Sequence, residues 1–116
     1  MKKRKLGRTN IEISEMSLGG LFVSSFAASQ TEANKAVVRA LELGVNYVDT
    51  APGYANSEEA LGVALEHVSL PYIISTKLGG RPQPFNPKDK TALLTSFEES
   101  LRLLKRDRVD ILMIHE

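Results

Sequence analysis

Asn46-Tyr47-Val48-Asp49-Thr50-Ala51-Pro52-Gly53-Tyr54 passes from apolar strand to loop within one short stretch. Tyr47 and Val48 are residue types that fit a pleated, buried surface, and Pro52-Gly53 is turn chemistry. Asp49 therefore stands where the strand stops, and Tyr54 just beyond the turn. A carboxylate and a phenol presented in this way form a candidate active-site corner, since chemistry-bearing residues concentrate on loops held by a rigid scaffold.

Outward from that corner the chain keeps a regular beat. Upstream, Ser29 and Glu32 have capping-box spacing, and Ala33, Ala36, Val37, Ala40 and Leu41 recur at the helical period until Gly44. This predicts a helix from Thr31 to about Leu43. Before it, Met16 to Gly20 reads as a short strand followed by a Ser/Ala-rich loop. Downstream, a second helix opens at Ser57, with Glu58 and Glu59 in the first turn, where carboxylates suit the helix dipole. Its apolar face is Ala60, Leu61, Ala64, Leu65 and Val68. Tyr72 to Lys77 is a strand rich in β-branched and aromatic residues, and Gly79 to Phe85 is irregular. Asn86-Pro87 reads as an N-cap with proline at the first helical position. The third helix then runs to about Leu104, with Leu94, Phe97, Leu101 and Leu104 inward and Glu98 paired to Arg102. Val109 to Glu116 is the last strand. At the other end, Arg4–Leu6 and Ile11–Ser14 flank the turn residues Gly7-Arg8-Thr9-Asn10 and predict a hairpin with one wet face.

The domain reading is a hairpin over residues 1–15 followed by βα units over 16–116. Strands that are near-continuous apolar runs, joined by connections long enough for crossovers, belong to a parallel sheet covered by helices. Such units build an open doubly wound sheet or part of a (β/α)₈ barrel. Asp49, Lys77 and His115 each stand at the C-terminal end of a successive strand, which favours the barrel, where that rim gathers the catalytic groups.

Composition narrows the function classes. Of 116 residues, 15 are basic and 14 acidic, so no field of one sign steers nucleic acid or an anionic membrane to the surface. Small-molecule partners are expected instead. There is no cysteine, which excludes a disulfide framework, a thiolate metal site and a cysteine nucleophile, and points to a reducing, cytoplasmic setting. No apolar run approaches the roughly 18 residues that span a bilayer. Met1-Lys2-Lys3-Arg4-Lys5 lacks the hydrophobic region of a signal peptide and reads as a solvated chain end. His67 reads as a cation at the end of the second helix. Gly19-Gly20 and Gly79-Gly80 are not a dinucleotide fingerprint, since no G-x-G-x-x-G follows a strand.

The rim residues form a proton-handling set. A phenol is a poor acid/base at neutral pH unless a nearby cation favours its phenolate, and Lys77 can supply that cation. Asp49 can hold the ammonium in place, and His115 adds a donor for a carbonyl oxygen.

In this ordered set the chain resembles the N-terminal half of an aldo-keto reductase. The resemblance is carried by Val48 to Tyr54, by Asn56-Ser57-Glu58, by Ser75-Thr76-Lys77, and by Ser100-Leu101 with Asp110 to His115. The hairpin with Lys5-Leu6-Gly7-Arg8-Thr9 also matches, so essentially the whole chain is covered. The resemblance implies a (β/α)₈ TIM-type barrel, here its N-terminal half with about four parallel strands and three helices. It further implies metal-free reduction of an aldehyde or ketone with NADPH, or NADH. Tyr54 would be the general acid, Lys77 the cation beside it, Asp49 the partner of Lys77, and His115 the residue that orients the substrate carbonyl. Gly20, Leu21 and Asp49 would lie beside the cofactor, Gly20-Leu21 departing from the threonine and aromatic that many relatives carry there.

Four of eight strands leave two open sheet edges, so the isolated chain is expected to be inactive and to self-associate. Two other readings compete with a reductase. One is a non-catalytic half-barrel that binds itself or another protein. The other is a Schiff-base aldolase with Lys77 as nucleophile, which pairing to Asp49 disfavours.

Overall fold

Residues 1–81 and 84–115 are described here from a computed structural model. Strands β1 (Lys3–Lys5) and β2 (Glu12–Ser14) form the expected antiparallel hairpin, with Arg4 opposite Ile13. It is wetter than alternation suggests, since only Ser14 is buried. Strand β3 (Leu18–Gly19) leads into a 3-10 turn over Gly20–Val23 and then helix α1 (Gln30–Glu42). The capping box is present: Ser29 N donates to Glu32 Oε2 at 2.9 Å, and Glu32 N donates to Ser29 Oγ at 3.3 Å. The bond from Ser29 N, with a second that Ser29 Oγ donates to the same carboxylate oxygen at 2.8 Å, holds the Glu32 carboxyl below the ordinary glutamate range. At the other end Gly44 N donates to Leu41 O and Val45 N to Ala40 O, the paired bonds that close a helix and turn the chain into strand β4 (Tyr47–Asp49).

Asn46, immediately before β4, ties the hairpin to the barrel units. Its Oδ1 accepts from Ser14 N at 2.6 Å, its Nδ2 donates to Glu12 O at 3.0 Å, and its own N donates to Ser14 Oγ at 3.0 Å. The hairpin therefore sits at the entry end of β4, opposite Asp49. Helix α2 (Ser57–Leu65), strand β5 (Ile73–Leu78), helix α3 (Lys90–Leu103) and strand β6 (Ile111–Ile114) follow.

The four later strands are hydrogen-bonded in chain order, β3-β4-β5-β6, and every pair is parallel. A doubly wound sheet reverses its order at a switch point. Unbroken sequential order instead winds one way, as in half of a (β/α)₈ barrel. The core lies between the helices and one face of this sheet: Val37 and Leu41 of α1, Leu61 and Leu65 of α2, Val48 of β4, Ile74 of β5, and Leu104. Because side chains alternate across a strand, Tyr47, Asp49, Ser75 and Lys77 take the opposite face.

Three local expectations need correction. Helix α3 starts at Lys90 with Asp89 as its N-cap, whose side chain accepts from Ala92 N at 3.0 Å. Asn86 uses its side chain on Lys88 N within a preceding turn. Leu94, expected inward, is 63% exposed; the buried positions of α3 are Ser96 and Ser100, which face an inserted arginine. Arg102 pairs with Glu99, one step closer than Glu98, with Nε 2.7 Å from Glu99 Oε2. Of the irregular segment expected over 79–85, residues 82 and 83 lie outside the described residues, as does 116, the expected end of the last strand. Among the described residues no helix is long and apolar enough to cross a membrane.

Candidate active site

Parallel register brings the strand ends level. Asp49 pairs with Ser75 across β4 and β5, and Lys77 pairs with Met113 across β5 and β6. His115 follows β6, its N donating to Leu78 O at 3.0 Å. Three polar side chains from three successive strands thus meet at one rim, as the spacing predicts.

Asp49 and Lys77 form a clamp. Lys77 Nζ is 3.0 Å from Asp49 Oδ1, 2.9 Å from Asp49 Oδ2 and 2.8 Å from Thr50 O. Lys77 is only 9% exposed, so these acceptors replace most of its water. An ammonium has three protons, and three acceptors surround it.

Tyr54 is delivered by the turn after β4. Its N donates to Ala51 O at 3.1 Å, and its carbonyl accepts from Ser57 N at 2.9 Å, joining the turn to the start of α2. Lys77 Nζ lies 4.7 Å from the centroid of the Tyr54 ring. The cation therefore meets the face of the phenol ring, a contact worth up to about 2 kcal/mol where water is excluded. His115 stands edge-on to the same ring, with centroids 6.1 Å apart and planes at 84°. His115 Nδ1 is buried and has no hydrogen-bond partner among the described residues. A buried, unsatisfied ring nitrogen is costly. The structure thus brings together Asp49, Tyr54, Lys77 and His115.

The three residues expected beside a cofactor differ in what they offer. Gly20 is a packing residue: a Cβ there would stand 2.5 Å from Ser57 Oγ and 2.7 Å from Asp49 O, and its carbonyl already accepts from Ser57 Oγ at 2.8 Å. Leu21 is half-buried next to it. The Asp49 side chain remains 24% exposed, and Oδ2 takes a single bond, from Lys77, so it can accept from a ligand hydroxyl. Of the three, Asp49 offers a ligand a polar contact and Leu21 an apolar one, which is compatible with the nicotinamide end of a dinucleotide.

Several participants escaped the sequence reading. Ser75 is fully buried and donates to Asp49 Oδ1 at 2.6 Å. Its signal was strand parity, since it alternates with Lys77. Glu58, expected as a first-turn carboxylate for the helix dipole, is 2% exposed. It accepts from Thr76 Oγ1 at 2.6 Å and from Arg81 Nη1 at 3.2 Å. Arg81 Nη2 also donates to Ser96 O at 2.7 Å and Ser100 Oγ at 2.9 Å, so one side chain binds the segment after β5 to both α2 and α3. Gly79, at φ +129°, lies against His115, whose carbonyl oxygen a Cβ would overlap.

Comparison with known proteins agrees with this fold. The model of the aldo/keto reductase family matches residues 15–116. The chain is 34% identical over 125 residues to an uncharacterized oxidoreductase of Bacillus subtilis, covering 99% of this chain and 39% of that protein. It is 33% identical over 120 residues to L-galactose dehydrogenase of Arabidopsis thaliana, covering 97% and 37%. It superposes on the holo form of an aldo-keto reductase from Bacillus halodurans with a TM-score of 0.84 at 31% identity, covering 99% of this chain and 40% of the other. The chain thus spans about two fifths of the length of these proteins.

Proposed function

As this chain belongs to the aldo/keto reductase family, we propose that it carries the acid/base side of an NAD(P)H-dependent reduction of an aldehyde or ketone to an alcohol. The observation that carries this reading is the Lys77 ammonium, clamped by Asp49 and Thr50 O and laid against the ring of Tyr54.

Tyr54 gives its phenolic proton to the carbonyl oxygen as negative charge develops there. The phenolate left behind has a more electron-rich ring, so the cation on its face binds it more strongly than the phenol. Lys77 therefore stabilises the charge that appears during proton transfer, and Asp49 keeps Lys77 from following that charge. His115 donates from its imidazole to the carbonyl oxygen and orients it toward Tyr54. Asp49 and Leu21 would hold the nicotinamide end of the cofactor, which when bound would supply the hydride. NADPH is the cofactor that the family resemblance suggests first, and NADH suits the same residues.

The aldolase reading is disfavoured by the clamp. A nucleophilic amine needs a free lone pair, and Lys77 Nζ faces three acceptors that require protons. Self-association is supported by a separate observation. On β6, Leu112 is 42% and Ile114 84% exposed, beside a sheet edge with no neighbour among the described residues. We propose that the 116-residue polypeptide associates with itself through this edge and binds the cofactor weakly. Sedimentation showing a monomer at micromolar concentration, or tight saturable NADPH binding by nicotinamide fluorescence, would contradict this.

The reductase reading is tested in a chimera in which these residues replace the matched segment of the Bacillus halodurans enzyme. Turnover of a reactive aldehyde with NADPH or NADH is expected. A folded chimera that binds cofactor but reduces no carbonyl would overturn the assignment.

A further inference from the structure

Behind the Asp49–Lys77 clamp, the same face of β4 and β5 carries two polar side chains with no part in the proposed proton transfer. Ser75 is fully buried, opposite Asp49 in register, and its Oγ donates to Asp49 Oδ1 at 2.6 Å. Tyr47 lies two residues before Asp49 on β4, half-buried, with its Oη 3.1 Å from Ser75 Oγ. Proton count gives this contact a direction. A carboxylate paired with an ammonium only accepts, and a serine hydroxyl has one proton. Ser75 gives that proton to Asp49, so Tyr47 must donate to Ser75.

We infer that the one-way chain from Tyr47 through Ser75 to Asp49 is a positioning device that keeps the Asp49 carboxylate turned onto Lys77. This rests on the role proposed above for Lys77 beside Tyr54. Asp49 Oδ1 is shared by Ser75 and Lys77, whereas the carboxylate as a whole is about a quarter open to solvent (24%). Without a donor behind it, Asp49 can turn toward water and leave Lys77 held by Thr50 O alone. The bond from Tyr47 polarises the Ser75 hydroxyl and makes it a stronger donor, as in hydrogen-bond chains generally. Tyr47 and Ser75 are thus positioning residues for the acid Tyr54, acting through Asp49 and Lys77.

The test is lysine-selective acetylation of the 116-residue chain with acetic anhydride, read by mass spectrometry at Lys77 against the exposed Lys35 and Lys90. Ser75→Ala is expected to raise the Lys77 rate relative to the references by about tenfold, the factor that loss of one charge-assisted hydrogen bond gives. Tyr47→Phe, which removes only the far hydroxyl, is expected to raise it by a smaller factor, about threefold. Equal Lys77 labelling in parent and Ser75→Ala would overturn the inference, as would a Lys77 rise accompanied by faster hydrogen exchange throughout the amides of β4 and β5, which marks general loosening. If circular dichroism shows that Ser75→Ala has not folded, Tyr47→Phe decides alone: a rise confined to Lys77 supports the chain, and no rise refutes it. Labelling reads geometry and not turnover. Its failure leaves the acid role of Tyr54 standing, and an inactive chimera leaves the labelling result intact.

Discussion

Replacing Arg81 by Met strips the Glu58 carboxylate of its countercharge while keeping most of the apolar stem of the side chain. Glu58 is 2% exposed, so the orphaned carboxylate cannot recover water without opening the contact between α2 and β5. It would retain one hydrogen bond, from Thr76 Oγ1. The substitution also removes the donors to Ser96 O and Ser100 Oγ, which bind the segment after β5 to α3. Breaking a buried pair by removing one partner costs about 3–5 kcal/mol. Because Arg81 keeps 27% of its side chain exposed, the lower end, about 3 kcal/mol, is the better figure. For a chain of this size the urea dependence is about 2 kcal/mol per molar, so the unfolding midpoint should fall by about 1.5 M. The assay is urea titration followed by far-ultraviolet circular dichroism. Combining Arg81→Met with Glu58→Gln leaves no charge buried between α2 and β5 at this pair, and the new amide carbonyl can still accept from Thr76 Oγ1. This double change should recover most of the loss. A midpoint within about 0.3 M of the parent for Arg81→Met, roughly 0.6 kcal/mol, would refute the view that this pair holds the layers together.

Gly79→Ala would place a methyl group on the His115 carbonyl at a backbone φ of +129°. It should lower stability by about 2 kcal/mol and displace His115 from Tyr54, seen as loss of the ring-current shift between them by proton NMR. The Glu66 carboxyl is held below the ordinary glutamate range by the hydrogen bond from Lys105, 2.7 Å away, and by its charge. Its contribution to stability is therefore complete above the ordinary value of about 4.3 and is lost as pH falls through the lowered one. In urea titrations across pH, the difference between parent and Glu66→Gln should be constant near neutrality and close in acid; a difference that widens in acid would contradict the sign.

The rim was legible because two simple periodicities locate it. Alternation along a strand and the change from apolar run to turn put Asp49, Lys77 and His115 at successive strand ends, and register in a parallel sheet does the rest. Ser75 was hidden because strand parity puts it on the face of Lys77 but does not give it a partner until the register shows Asp49 opposite it. The start of helix α3 was misread because Asn86 and Asp89 both satisfy the local rule for an N-cap, and only the turn bond from Asp89 N to Asn86 O shows which one opens the helix. Its inner face carries Ser96 and Ser100 beside the half-buried Phe97 and Leu101, with Leu94 outside, because an arginine from the loop after β5 occupies the space, and helical periodicity contains no information about an inserted loop side chain. Glu58 was read only as a first-turn carboxylate for the same reason, its partner Arg81 being distant in sequence.

Single-turnover deuteride transfer from 4-deuterated NADPH to an aldehyde, in the chimera carrying this chain's residues, tests the central claim most directly. Tyr54→Phe keeps the ring between Lys77 and His115 and removes only the proton to be donated. With a general acid contributing about 10²–10⁴-fold, the transfer rate should fall by that factor while cofactor binding is unchanged. Transfer in Tyr54→Phe as fast as in the parent would contradict the account.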